Sequence, residues 1–519
     1  MINLDNGRLA IKKRILAFRR WTVGAMAARQ RITPRAKLII ALSIFLLAFA
    51  VRSLHAVDLA PQMYTSEQPF NGLTENYDLR AVSITNGEGL LGPYNIDPSD
   101  TRWLGQAPGY SIFLSAVYST LGRNFFTAQL VHNILNSFSA VLIFLIAGSL
   151  ISWRVGGLSG ILAALSHHLA HISNFILPDA LCALPILAAI YLLVASRRAR
   201  HTYLLYAAAG AMIGLASWLR AQAMLMGLFF AAMIFIISAR RLSVLKRGLV
   251  MAMISLAAIA PITIRNYAVY GEFLPIQIGT GLNLCEGIAD ASGDRFGAVK
   301  TDMEVARQEA DFYNDPRYAQ SWTAPDGIKR DRDRTRRSLE IIFSHPLWYA
   351  GVMLDRCGEM LKYSAHAPLV YRIEEAKAAQ RVLPVKRNWR SISSDESALA
   401  VGRSIFWLRP VVRAMQRITK ETMTPFIIIG AVILFIVSLR RALFISIVPL
   451  YYFLFQSAMH TEFRYTLPMQ YFVFVFAAVL WVLIGAGISR GIKRAFNSPS
   501  LAETPQAQSA AEASRITHY

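Results

Sequence analysis

The sequence predicts an all-α polytopic membrane protein of about ten transmembrane helices, and three observations lead to this fold class. Of the 519 residues, 54% are hydrophobic and only 17% are charged, and the mean hydropathy is +0.38. Soluble enzymes of this length are far more polar. Apolar runs of roughly 17 to 25 residues, enough to cross about 30 Å of hydrocarbon, recur along most of the chain. Basic residues stand between these runs.

The apolar runs are expected to form ten membrane spans: 38–54, 125–150, 155–172, 177–195, 202–219, 222–238, 247–265, 423–439, 442–459 and 465–488. The segment 8–37, RLAIKKRILAFRRWTVGAMAARQRITPRAK, is rich in Arg and Lys, and such an excess marks the cytoplasmic side. No small-residue cleavage site follows, so we expect an uncleaved anchor. Alternating the spans places the other basic clusters inside as well: Arg154, 196–201, 239–247, Arg440, Arg441 and 489–494. The net charge of +22 therefore reflects membrane orientation, and no nucleic acid partner is expected.

The span order divides the chain into five regions: a basic cytoplasmic N-terminus (1–37), a membrane module (38–265) with a first external loop (55–124), a large external region (266–422), C-terminal transmembrane helices (423–490) and a disordered cytoplasmic tail (491–519). The other loops are only a few residues long, so function is expected in the two external segments. The stretch 107–122, APGYSIFLSAVYSTLG, is amphipathic and too short to span, and is expected at the interface. In 330–363 we expect a helix that packs its apolar stripe on the membrane face.

Cysteine and glycine patterns exclude two classes of chemistry. The sequence has no Cys/His cluster with zinc spacing and no phosphate-binding GxxxxGK loop, which argues against zinc or NTP-driven chemistry. Cys182 falls within a span, whereas Cys285 and Cys357 fall in the second external segment, where a disulfide is permitted and its formation is left open. No metal or other cofactor is expected to be required, although external carboxylates could hold a divalent cation.

Asp179 interrupts the apolar stretch FILPDALCALPILAAIYLLVA at 175–195. A carboxylate near hydrocarbon costs about 2.5 to 3.5 kcal/mol even on the mildest insertion scales, so a role for it is expected. The span order puts Asp179 at the outer mouth of the fourth span, facing the external segments. The alternative is that Asp179 caps a helix start behind Pro178.

Other acids are predicted on the same side of the membrane. Glu75 and Asp78 are three residues apart and share one face if 74–86 is helical. Asp97 and Asp100 follow in the same loop. Glu75, Asp78 and Asp179 are therefore the candidate catalytic carboxylates, and the alternative for Glu75 and Asp78 is that they are solvated.

Three arginines lie at predicted outer boundaries, where arginine is disfavoured: Arg220, Arg265 and Arg464. One such residue is readily explained as an interfacial anchor. Three beside a set of carboxylates indicate a site for a lipid-borne phosphate, which arginine grips in bidentate fashion. A carboxylate that deprotonates an acceptor hydroxyl while cations hold a departing phosphate is the outline of sugar transfer from a polyprenyl-phosphate donor.

Ordered motifs along 38–490 resemble the GT-C superfamily of integral-membrane glycosyltransferases, in particular the bacterial branch similar to protein O-mannosyltransferases and lipid A aminoarabinose transferases. In that family an acidic segment is followed by Tyr, Ala four residues later and a Gly-x-Gly turn, and then by a Pro-Gly-Tyr helix. The matching positions are Tyr77, Ala81, Gly87, Gly89, Pro108, Gly109 and Tyr110. In many members the first acid stands eight residues before the Ala, where this chain has Leu73, so Glu75 or Asp78 would substitute.

Later motifs of the family are matched as well. They are an acid after the third span (Asp179), Leu-x-Arg near Leu219 and Arg220, Pro-x-x-x-Arg-Asn (Pro261, Arg265, Asn266), Gly-x-Asn-Leu (281–284) and His-x-Glu-x-Arg-Tyr (460–465). The resemblance implies an inverting displacement at the anomeric carbon with lipid phosphate leaving. It also implies an active site on the extracytoplasmic face of the inner membrane and an envelope lipid, glycan or protein acceptor. The substrate-binding candidates it implies are Tyr77, Asn266, His460, Glu462 and Tyr465.

Two other classes of function remain open at this stage. A secondary transporter would use intramembrane acids to relay ions. Transporters tend to show repeated halves and midplane sites, whereas this sequence shows no internal repeat and its ionisable residues cluster at one face. A non-catalytic scaffold for envelope enzymes is the third reading. The sugar and the acceptor are not determined by the sequence.

Overall fold

The computed structural model describes residues 16–17, 20–22, 24, 32–65, 71–90, 101–238, 241–363 and 406–497. Most of the predicted basic N-terminus, the acids Asp97 and Asp100, and the predicted tail from 498 onward lie outside the described residues. The segment 491–497, which the sequence analysis assigned to a disordered tail, is the end of a long helix.

The described residues form helices and connecting turns, without a β-strand, which confirms the predicted all-α class. The helices are α1 (Pro34–Thr65), α2 (Asn71–Thr85), α3 (Gly109–Leu121), α4 (Phe125–Leu150), α5 (Trp153–Leu165), α6 (His167–Ile172), α7 (Pro178–Leu181), α8 (Ala183–Ser196), α9 (Thr202–Leu219), α10 (Met226–Ile237), α11 (Arg241–Tyr270), α12 (Thr280–Ser292), α13 (Asp302–Tyr313), α14 (Gly327–Ser344), α15 (Pro346–Leu361), α16 (Arg409–Val437), α17 (Leu439–Ile445), α18 (Ile447–Phe455) and α19 (Leu467–Asn497).

Seven helical segments among the described residues are long and apolar enough to cross a membrane: Pro34–Val57, Phe125–Leu150, Pro178–Ser196, Thr202–Leu219, Leu242–Tyr270, Arg409–Val437 and Phe463–Arg490. The chain is thus a multi-pass membrane protein. The predicted spans at 155–172, 222–238 and 442–459 are also helical but shorter or divided. In the first of them the chain bends at Ser166, whose hydroxyl accepts a hydrogen bond from the Leu169 amide and starts α6. The count of ten spans stays a prediction.

Small residues let the long helices pack closely, as is usual where lipid supplies no hydrophobic drive between helices. At Gly210 of α9, an added Cβ would lie 2.3 Å from the Met251 carbonyl oxygen of α11. At Gly430 of α16, it would lie 1.9 Å from the Phe476 carbonyl oxygen of α19. These glycines therefore set the distance between α9 and α11 and the distance between α16 and α19.

The region predicted to be external contains a small helical layer that is held by a buried ion cluster. Arg330 and Arg334 of α14 both donate to the Glu309 carboxylate of α13, with Nε of Arg330 and Nη2 of Arg334 at 2.7 and 2.8 Å from Oε2. All three side chains are buried. Since a buried charge is costly unless paired and hydrogen-bonded, this cluster locks the two helices together.

The helix predicted within 330–363 is confirmed as two helices, α14 and α15, which are separated at His345 before Pro346. Its buried face is the charged one that binds Glu309, whereas the apolar residues Phe343 and Leu347 are 75% and 89% exposed. Contact of that apolar face with a membrane stays a prediction. The helix predicted at 107–122 is confirmed as α3, which is 13 residues long.

Candidate active site

Asp179 is buried at the start of the span Pro178–Ser196, on the first turn of α7. One of its carboxylate oxygens lies 3.3 Å from Nη2 of Arg220. Neither oxygen has a hydrogen-bond partner among the described residues, and the residue at the helix cap is Leu177, not Asp179. The alternative in which Asp179 caps the helix start is therefore not what the structure shows. The carboxylate is available for other chemistry.

Arg220 reaches Asp179 because α9 ends at Leu219 and the chain turns into an extended conformation at Arg220. Its guanidinium also lies over the ring of Tyr465, 4.7 Å from the ring centroid. On the same ring, the guanidinium of Arg464 lies 5.0 Å from the centroid. Two of the three arginines predicted to bind phosphate thus meet on Tyr465, and Arg220 pairs there with Asp179.

Arg464 is held by Glu462 through two hydrogen bonds, from Nε at 2.6 Å and from Nη2 at 2.9 Å. This is the fork geometry in which arginine binds carboxylates most strongly. Tyr465 joins the same group, since its hydroxyl lies 3.3 Å from Glu462 Oε1. The His-x-Glu-x-Arg-Tyr motif therefore folds into one local network.

His460 completes this network and carries a charge at neutral pH. Its Nδ1 lies 2.5 Å from Oδ2 of Asp290 and its Nε2 lies 3.6 Å from Oε1 of Glu462. The interaction with Glu462, together with the Asp290 carboxylate, raises the pKa of His460 to about 9 although burial opposes this. Burial alone would raise the pKa of Glu462, but His460 and Arg464 lower it to about 2. Nearby Glu286 has a pKa raised to about 7, mainly by burial and despite His460.

The segment around His460 is docked on α12 of the external region. The His460 amide donates to the Asn283 carbonyl at 2.7 Å, within the predicted Gly-x-Asn-Leu motif. An added Cβ at Gly287 would lie 2.7 Å from the same amide nitrogen, so glycine is required for this approach. The motif thus positions Glu462 and Arg464 from the external side.

Helix α2 brings Tyr77 to the site, and the predicted motif residues around it have structural roles. Tyr77 is buried within electrostatic range of Arg220 and Asp179. Its ring packs edge-on against that of Tyr110, with 5.0 Å between the centroids. The turn after α2 uses positive φ angles of 82° and 87° at Gly87 and Gly89, a conformation that favours glycine.

Asp78 points to a different set of partners. Its buried carboxylate accepts hydrogen bonds from Nε of Arg123, at 3.1 Å, and from the Tyr118 hydroxyl, at 2.9 Å. A second bond joins Arg123 Nη2 to the other carboxylate oxygen. Glu75 belongs to α2, which confirms the predicted helix, but its side chain lies outside the described residues.

Arg265 and Asn266 do not join the group around Asp179. The Asn266 amide donates to the carbonyls of Leu274 and Ile276, both at 3.1 Å, and so closes the turn that follows α11. Arg265 instead lines a cavity of about 200 Å³ together with Arg80.

Several residues of this region escape prediction from the sequence. Asp290 and Glu286 stand four residues apart on α12, a spacing that puts them on one helix face and could have indicated an acidic patch. Arg123 and Arg80 carry no comparable signal, because their partners are distant along the chain. Among the described residues, no group of three or more His, Cys, Asp or Glu side chains could hold a metal ion. The three cysteines are free thiols, so Cys285 and Cys357 are not bridged.

Residues 105–264 match the family described as dolichyl-phosphate-mannose-protein mannosyltransferase. This stretch holds Asp179, Arg220 and the Pro-Gly-Tyr motif, and the match confirms the predicted resemblance over these residues. It covers less than half of the chain. No curated protein matches the chain.

Solved membrane glycosyltransferases show a weak similarity in structure. The Archaeoglobus fulgidus oligosaccharyltransferase in the apo form has 11% identity and a TM-score of 0.48, with 90% of this chain and 53% of that chain covered. The complex of the same archaeon's AglB with an inhibitory peptide and a dolichol-phosphate has 11% identity, a TM-score of 0.46 and 88% and 52% coverage. ArnT from Cupriavidus metallidurans bound to undecaprenyl phosphate has 13% identity, a TM-score of 0.34 and 88% and 79% coverage. The chain spans about half the length of the archaeal chains. Similarities at this level have no weight for fold or function.

Proposed function

We propose that the chain is an inverting glycosyltransferase that moves a sugar from a polyprenyl-phosphate donor to an envelope acceptor. The observation that carries the proposal is the buried Asp179 carboxylate, which is paired with Arg220 and has no hydrogen-bond partner among the described residues. The match of residues 105–264 to mannosyltransferases that use a lipid-phosphate sugar supports it. The reaction is assigned to the outer face of the cytoplasmic membrane, where the span order puts this end of the bundle.

Asp179 is the proposed general base. Its carboxylate forms an ion pair with Arg220, with 3.3 Å between Oδ1 of Asp179 and Nη2 of Arg220. In the reaction the acceptor hydroxyl gives its proton to Asp179 while its oxygen forms the new bond to the anomeric carbon. The bond from that carbon to the phosphate oxygen breaks on the opposite face, and the phosphate leaves with the electron pair.

Arg220 and Arg464 are the proposed phosphate ligands. Each has its guanidinium over the ring of Tyr465, Arg220 beside Asp179 and Arg464 beside Glu462. Preorganised cations at the point where negative charge develops are among the largest contributions to catalysis. His460 and Glu462 hold Arg464 in place, and Tyr77 and Tyr465 form the aromatic sides of the substrate site.

The other two predicted carboxylates, Asp78 and Glu75, do not act as the general base in this proposal. Asp78 anchors α2 to the start of α4 through Arg123, so it positions Tyr77 rather than accepting a proton. A role for Glu75 as a second carboxylate in the acceptor path stays a prediction. No cofactor is required by the proposed reaction, and a role for a divalent cation stays untested.

Product formation by the purified protein tests this function against the transporter and scaffold alternatives. Protein in lipid nanodiscs is incubated with labelled polyprenyl-phosphate hexoses and pentoses and with an extract of envelope lipids, glycans and proteins. We expect label to move from one donor to an extractable acceptor. Folded protein that forms no product with any donor would favour a transporter or a scaffold, since neither breaks the sugar–phosphate bond.

A further inference from the structure

A second cationic pocket lies beside the proposed active site. It is a cavity of about 200 Å³ at the outer ends of α9 and α11, and the loop after α2 closes one side. The charged side chains that line it are Arg80 and Arg265, and the two large aromatic ones are Trp103 and Trp218. In the chain, Trp218 precedes Arg220 by two residues, and Arg80 follows Tyr77 by three residues. The pocket therefore adjoins the proposed active site through the end of α9 and through α2.

Among the described residues, the two arginines of this pocket have no acidic partners like those of Arg220 and Arg464. Arg80 is 1% exposed and donates to the backbone carbonyls of Gln106 and Trp103, while its Nε has no partner among the described residues. Arg265 donates to the side-chain oxygen of Asn266 at 3.0 Å. No carboxylate is among the described residues that line the cavity. Burial lowers the pKa of Arg80 to about 10, so Arg80 is cationic at neutral pH.

Arg80 is buried and Arg265 is half-buried, and both face a cavity that has no carboxylate among its described lining residues, which favours the binding of an anion. Burying an unpaired charge is expensive, and the cost falls when a ligand supplies the opposite charge. The aromatic residues define the rest of the ligand. Trp103 is oriented by Arg80, whose guanidinium lies 5.1 Å from the ring centroid, and Trp218 is fixed by a 2.7 Å hydrogen bond from its Nε1 to the Ala258 carbonyl. Flat apolar ring faces beside charged groups suit a sugar ring that bears an acidic substituent.

We propose that this pocket binds an anionic group, phosphate or carboxylate, carried by a sugar of the acceptor. Assignment to the acceptor rests on the proposed function, in which the single phosphate of the donor occupies Arg220 and Arg464 next to Asp179. Arg265, which the sequence placed with the donor phosphate, then serves the acceptor together with Arg80. The acceptor class is an acidic saccharide rather than a neutral glycan.

Direct binding tests the proposal without relying on turnover. Purified protein in nanodiscs is titrated calorimetrically with glucose 6-phosphate, glucuronic acid, glucose and inorganic phosphate. We expect one of the two acidic sugars to bind, and glucose and inorganic phosphate to bind at least tenfold more weakly. Equal binding of glucose and of the acidic sugars, or binding of inorganic phosphate alone, would overturn the assignment.

Substitutions locate the bound sugar. Arg265→Gln removes one charged donor and should weaken binding about tenfold or more. Leu90→Glu places a carboxylate at the cavity wall and should do the same, which keeps the test valid if Arg265→Gln does not fold. Arg332→Gln is the matched control, because Arg332 is an exposed arginine paired with Glu272. Unchanged binding in the two cavity variants would overturn the proposal.

One further variant separates this proposal from the proposed function. Asp179→Asn should abolish most transfer and leave binding of the acidic sugar unchanged, because Asp179 is not among the residues that line the cavity. In the wild-type protein, transfer without acidic-sugar binding would refute the pocket alone, whereas acidic-sugar binding without transfer would refute the glycosyltransferase alone.

Discussion

At the residue scale, the network of His460 and Glu462 couples Arg464, a proposed phosphate ligand, to helix α12. His460 bridges Asp290 on α12 and Glu462, which in turn holds Arg464. The interaction between His460 and Glu462 both raises the pKa of His460 and lowers the pKa of Glu462. Its loss should therefore loosen the segment 456–466 from the external region.

The first prediction concerns the pH dependence of this segment. A His whose folded pKa is about 9 against an ordinary 6.5 stabilises the docked state fully below about pH 6.5, and this is lost as pH rises through 9. The Glu462 contribution is present above its ordinary pKa of 4.5 and is lost as pH falls toward 2. We expect exchange protection of amides at 456–466, corrected for intrinsic rates, to be highest between pH 5 and 6.5 and to decline toward pH 9.

His460→Gln tests the assignment of the alkaline decline. It keeps a hydrogen-bonding side chain but removes the titrating charge, so its protection should be lower at pH 6 and should lack the decline near pH 9, while the change near pH 7 that Glu286 contributes remains. The same alkaline decline in His460→Gln and in the wild type would mean that another group is responsible.

At the element scale, the close contact of α3 with α9 positions the end of α9 that carries Arg220. An added Cβ at Gly109 would lie 2.5 Å from the Trp218 carbonyl oxygen and 2.8 Å from the Trp218 Cβ. Backbone atoms cannot swing away as a flexible side chain does, so α3 or the end of α9 must shift. Gly109 belongs to the Pro-Gly-Tyr motif, and this contact is the physical reason for glycine there.

The second prediction is that Gly109→Ala lowers transfer more than it lowers stability. A shift of some tenths of an ångström at Trp218 moves Arg220 relative to Asp179, and misplacement of about 1 Å in a catalytic group can cost 10²-fold in rate. Transfer rate and melting temperature are measured on the same preparation. Gly157→Ala is the control, since no atom lies within 4 Å of its added Cβ. Equal activity in both variants would show that the contact does not position the site.

Sequence patterns predicted the elements well and their long-range pairings poorly. The helices predicted at 107–122 and within 330–363 are present, and so is the helix on which the pairing of Glu75 with Asp78 was conditional, at 74–86. The partner of Asp78 is 45 residues away and that of His460 is 170 residues away. Neither separation along the chain corresponds to a helical or loop spacing. Such pairs depend on how the helices pack, which the sequence pattern does not specify. Asp78 and Asp179 were therefore equal candidates for a catalytic carboxylate in the sequence, but their environments differ in the structure.

At the scale of the whole molecule, the outer ends of several spans converge on one site. Asp179 begins one span, Arg220 follows another and Arg464 stands at the start of a third. The order of apolar runs and basic clusters predicts that these three ends lie on the same side of the membrane. The contacts of Arg220 with Asp179 and of both arginines with Tyr465 agree with this prediction. The broken helices at 155–172 and 442–459 could not be foreseen from hydropathy, since the breaks at Ser166 and Ser446 depend on local backbone geometry.

The third prediction is the orientation of the bundle. Single cysteines introduced into a chain without Cys182, Cys285 and Cys357 are labelled with a membrane-impermeant reagent in intact cells. Residues in 300–330 should react from outside, and residues 196–201 should react only after permeabilisation. External labelling of 196–201 would place Asp179 on the cytoplasmic side and contradict the proposed outer-face reaction.

The most direct test of the central claim is the transfer rate of Asp179→Asn at saturating donor. The amide keeps the size of the side chain but cannot accept the acceptor's proton, so the rate should fall by about 10² to 10⁴-fold. Asp315→Asn, at a carboxylate paired with the exposed Arg317, should transfer at the wild-type rate. A near-native rate for Asp179→Asn in folded protein would contradict the account, because the buried carboxylate beside Arg220 would then not be the base.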